Sequence, residues 1–171
     1  MRNKTVYSEE TFKIINRQRV FSKDMLFIKG SAIAITINLG ARAVYADNKS
    51  IAGWITCFIA IVVAPIAFFV YPLSNGKKEY KKVCESNKGK EMVATIDFEK
   101  NNIVAHNNLG QVGSVKYDDI NEMVETNKLL ILKSKGKDVV HLDKQGFINS
   151  SPEECKELLY ERCKNLKRKK R

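Results

Sequence analysis

The chain has 171 residues, and 30 lysines and arginines against 19 aspartates and glutamates give it a formal net charge of +11. Apart from Tyr80, no aromatic residue interleaves the basic clusters at 77–82 and 164–171, which argues against nucleic acid as the partner. The four cysteines, Cys57, Cys84, Cys155 and Cys163, show no CxxC spacing and have no companion histidines, so neither a zinc site nor a disulfide framework is indicated.

The opening residues, MRNKTVYSEETFK, are too charged for a cleaved signal peptide. Residues 1–24 read as a cytoplasmic segment, and TVYSEE within it could add a strand to the β domain that comes later. Two apolar segments follow. The stronger, residues 51–73, carries no charge and is longer than the ~20 apolar residues that a helix needs to cross a bilayer. Trp54 and Tyr71 sit near its ends like the aromatic belts of membrane helices, and Pro65 reads as a tolerated kink. The weaker segment, residues 25–45, is interrupted by Lys29 and Arg42, both near its ends. With only ADNKS between them, the two are expected to form a transmembrane hairpin over 25–73, turning at Asp47–Asn48.

Small residues recur at spacings of three and four in both segments, which lets membrane helices approach closely. Gly30, Ala34 and Asn38 form one such row, and Gly53, Cys57, Ala60 and Ala64 the other. Asn38 is expected to hydrogen-bond across this interface.

Lysines and arginines crowd both flanks of the hairpin and are sparse in its link, so both termini are expected in the cytoplasm of a multi-pass cell-membrane protein. Residues 74–90 read as a basic juxtamembrane linker. Its Lys77, Lys78, Lys81 and Lys82 are candidates for an electrostatic clamp on anionic lipid headgroups.

From Glu91 the pattern changes to period two. EMVATIDF, NIVAH, QVGSVKY, INEMVET, LLILKS and VVHLD are short runs separated by turn signals, the signature of an antiparallel meander. The end of the chain predicts a helix with Ser151 as N-cap, Pro152 in the first turn and Glu154 completing a capping box. Its stripe of Cys155, Leu158, Leu159, Cys163 and Leu166 is expected to close the sheet. This order predicts a small antiparallel barrel of pleckstrin-homology (PH) type over 91–171.

Little in this domain points to chemistry. His106 and His141 are too few for a zinc site and read as strand residues. Gly110 and Gly113 lack the lysine and hydroxyl of a phosphate loop and read as a hairpin turn. Asp118 and Asp119 read as turn residues at a strand start.

The stretch from Tyr117-Asp118-Asp119-Ile120 through Val124–Thr126 and the apolar run Leu129–Leu132 to Lys144, Phe147 and the helix from Ser151 resembles the YcxB-like family of bacterial membrane proteins. The chain departs from that pattern at Asp143, where a proline is expected. The resemblance implies a membrane-anchored PH-like domain on the cytoplasmic face and brings no activity and no cofactor with it.

The sequence thus predicts an α+β membrane protein: a two-helix transmembrane hairpin carrying a PH-like barrel closed by a C-terminal helix. The expected function is non-enzymatic, an interaction module that binds a protein partner or anionic lipid. The alternative is an accessory subunit of a membrane transporter or envelope-stress system.

Overall fold

The computed structural model describes residues 1–21, 23–46, 51–63, 66, 71–135 and 137–166. The chain forms two compact units, one from Met1–Thr11 with Lys82–Arg171, the other from Phe12–Lys81.

The first unit holds two antiparallel sheets and a helix. Strands β1 (Arg2–Tyr7), β2 (Met92–Phe98), β3 (Asn102–Asn107), β4 (Val112–Lys116) and β8 (Phe147–Ile148) make one sheet in the order β4-β3-β2-β1-β8. Strands β5 (Glu122–Glu125), β6 (Leu129–Ser134) and β7 (Lys137–Asp143) make the other, in chain order. Period-two alternation turns Ala94 and Ile96 of β2, Leu130 and Leu132 of β6, and Leu142 of β7 into one buried cluster. Each fully buried Ile or Leu contributes about 1.5–3 kcal/mol. Strand β6 departs from simple alternation, because Leu129 and Ile131 on its other face are also fully buried.

β1 supplies the strand foreseen near the N-terminus and pairs with β2 from Arg2↔Asp97 to Tyr7↔Met92. It also joins the two sheets. Asn3 and Thr5 are completely buried, although both are polar. Asn3 Nδ2 donates to the Asp143 carbonyl at 2.8 Å. Thr5 Oγ1 accepts from Asp143 N at 2.9 Å, and its single proton has Asn3 Oδ1 and the His141 carbonyl within 2.9 Å. Side chains therefore do at this corner what a backbone ladder does elsewhere. Gly146 lets the chain pass, because a Cβ there would collide with the Lys4 carbonyl, and its own carbonyl accepts from Lys4 N at 2.8 Å.

The sheets do not close into the expected barrel. Among the described residues no ladder joins β7 to β1, or β4 to β5. Polar side chains replace the ladder at the first corner. At the second, a 3-10 turn, Tyr117–Asp119, carries the chain out of the sheet.

In the second unit, most of α1 (Glu9–Val20) and of α4 (Tyr71–Ser86) pack together, with Phe12 and Tyr80 ring centres 6.3 Å apart. The helices α2 (Lys23–Ala46) and α3 (Ile51–Phe58) also pair. They approach closely at Gly40, where an added Cβ would lie 2.7 Å from Cys57 Sγ, 3.1 Å from Cys57 N and 3.3 Å from the Gly53 carbonyl.

The transmembrane hairpin is not upheld, and with it fall the integral membrane partner and the multi-pass cell-membrane location with two cytoplasmic termini. Among the described residues no helix is long and apolar enough to cross a membrane. Charge limits α2, whose uncharged stretch between Lys29 and Arg42 rises only about 18 Å. Length limits α3, which runs about 12 Å before passing into a π-helical turn at Ile59–Val63. The turn at Asp47–Asn48, Ala64 and Pro65 lie outside the described residues.

Replacing Thr5 by valine leaves the buried Asp143 amide without its acceptor. The expected loss is about 1–3 kcal/mol, read as a lower urea midpoint of the β domain; an unchanged midpoint would show that the corner does not depend on this hydroxyl. In the helical unit, Gly30→Ala meets open space and is expected to gain up to about 1 kcal/mol of helix propensity. Gly40→Ala is expected to lose stability through overpacking by about 1–3 kcal/mol. Thermal melts in which both changes have the same sign would contradict the close approach at Gly40.

Candidate functional site: a groove between a sheet edge and the last helix

Helix α5 (Pro152–Arg162) is fixed at both ends. Ser151 Oγ accepts from Glu154 N at 3.2 Å and Glu154 Oε2 accepts from Ser151 N at 2.8 Å, which is the expected capping box. At the other end Arg162 Nη1 donates to the Glu99 carbonyl at 2.7 Å, and the guanidinium lies 5.4 Å from the centre of the Tyr117 ring. Between these anchors Cys155 and Leu159 enter the core, with Cys163 and Leu166 beyond the helix end. Leu158 stays half-buried and faces a groove.

That groove, about 1350 Å³, has α5 as one wall and β5 as the other. β5 is a sheet edge and, among the described residues, pairs with β6 alone. At the hairpin end Thr126 N donates inward to the Leu129 carbonyl at 2.9 Å. Alternation then directs the backbone groups of Glu122 and Val124 toward β6 and those of Met123 and Glu125 away from it.

The lining is acidic in a chain whose net charge is +11. Among the described residues it contains Glu122, Glu125, Glu153, Glu154, Glu157 and Glu161, with Lys156 as the one basic side chain. Glu125 holds the two walls together: its Oε1 lies 3.1 Å from Lys156 Nζ on α5 and 2.7 Å from Lys144 Nζ. The hydrogen bond from Lys144, and then that from Lys156, hold the Glu125 carboxyl below its ordinary range. Glu125 in turn raises the pKa of Lys156.

The residues singled out from the sequence lie elsewhere. Lys77, Lys78, Lys81 and Lys82 are exposed on α4, at positions that share one side of the helix. Gly53 is buried and Cys57 half-buried at the α2–α3 contact. Gly30 has open space around it, and Ala34 and Asn38 are exposed, so the foreseen row on α2 is not the packed one. The Ala60 side chain and Ala64 lie outside the described residues. His106 is exposed on β3, while His141 belongs to the other sheet and places Nδ1 3.2 Å from the Tyr7 hydroxyl. Asp118 and Asp119 are exposed in the 3-10 turn, where Asn165 Nδ2 donates to the Asp118 carbonyl at 2.7 Å.

Among the described residues no group of three or more His, Cys, Asp or Glu is placed to hold a metal ion. Burial pushes the Cys155 thiol up to about 12 and the Cys163 thiol up to about 11, so both stay protonated near neutral pH. The apolar side chains of Phe27, Ile51 and Trp54 in the helical unit are 77%, 75% and 64% exposed. No protein-family model, no curated protein and no solved structure matches the chain.

The Glu125 pairing has a signed pH dependence. A carboxyl depressed in the folded state stabilises fully above its unfolded pKa, and the contribution is lost as pH falls through the folded value. For Lys156, raised in the folded state, the contribution is full below the unfolded lysine pKa and is lost as pH rises through the folded one. Both groups are partly solvated, so the pairing contributes about 0.2–1 kcal/mol. Glu125→Gln is expected to flatten the acid limb of a stability-versus-pH curve below the ordinary carboxylate value of 4.5. Superimposable acid limbs for variant and parent would remove Glu125 from that role.

Proposed function

We propose that the unit formed by Met1–Thr11 and Lys82–Arg171 is a non-enzymatic interaction module that takes up an extended protein segment as an extra strand beside β5. One observation carries this reading: an edge strand whose outward backbone groups, at Met123 and Glu125, border an open groove backed by a helix anchored at both ends. Strand addition draws its affinity from main-chain hydrogen bonds and its selectivity from the pockets that alternate side chains meet. Two outward residues offer four such bonds, each worth a net ~0.5–1.5 kcal/mol. The sum suits a reversible contact once the ordering of the incoming segment is subtracted. The inert thiols and the separation of the two histidines onto different sheets favour binding over catalysis. The resemblance to the YcxB-like family, which brings no activity, is compatible with this.

The test is a selection of ten-residue peptides from a randomised library on the full chain, followed by amide hydrogen exchange with the selected peptide bound. Slowed exchange is expected at Met123 and Glu125. Protection confined to β4 or to the helical unit, or a failure to select any peptide, would count against the reading.

A second reading, an accessory subunit of a larger assembly, is favoured by the exposed apolar side chains along α2 and α3, Phe27, Ile51 and Trp54 among them, since extensive exposed apolar surface commonly marks contact sites. It predicts that the full chain copurifies with a stoichiometric protein partner and that Phe27→Ser with Trp54→Ser releases it. Retention of the partner by the double variant would exclude these two side chains from the contact.

A further inference from the structure

We draw no further inference here: the strongest candidate, the exposed apolar surface along α2 and α3 to which Phe27, Ile51 and Trp54 belong, carries none because nothing in the structure shows what covers it.

Discussion

The β domain depends on holding β1 between β2 and β8, and that depends on a few buried polar atoms. Ile96, Leu130 and Leu142 would bury themselves in many arrangements of two sheets, because apolar burial has no direction. The hydrogen bonds of Asn3 and Thr5 to Asp143 have direction. They fix which end of β7 meets β1, and so how the three-stranded sheet is set against the five-stranded one. With that corner fixed, the opposite corner is left to a 3-10 turn. The gap between β4 and β5 is the other side of the same arrangement.

The open corner is where α5 lies. Its buried face closes the core with Cys155 and Leu159, while its exposed face carries the glutamates that look onto the groove. One helix therefore does two jobs on two faces, and the anchoring at Ser151 and Arg162 keeps both in register with the sheet. The Lys144–Glu125–Lys156 chain of ion pairs adds little stability but sets the spacing between the walls. A preformed groove loses less free energy in ordering when a flexible segment enters it.

Much of the β domain was legible in the sequence. Period two located β2 through β7, and SSPEE located the start of α5 and its capping box. β8, only two residues long, left no periodic signal. The beginning of β1 was obscured because its inward positions are Asn3 and Thr5, which read as polar when only apolar residues are expected to face a core. Closure into a barrel was wrongly expected because element order says nothing about whether the last pair of edges meets. The groove was missed for a related reason. The apolar stripe of α5 drew attention to its buried face, while Glu153, Glu157 and Glu161, equally periodic, passed as ordinary solvent-facing charge. In the helical segments, hydrophobicity pointed to a membrane crossing. The structure instead gives a charge-interrupted α2 and a short α3, and their contact uses Gly40, which fell outside the row of small residues chosen from the sequence.

The route the chain takes through the β domain also bears on how it assembles. β1 ends at Tyr7, yet its neighbour β2 begins at Met92, and the helical unit lies between them in sequence. Closing an unstructured loop of that length costs about 4 kcal/mol of chain entropy beyond a constant. The contact of α1 with α4, where Gly76 sits against the backbone of Phe12 and Lys13, draws the two ends of the intervening segment together. If the helices pair first, only Ser8 separates β1 from α1, and residues 87–91 separate α4 from β2. The pairing of α1 with α4 thus shortens the search of the β domain, and damage there would slow strand assembly while leaving the finished groove unaltered.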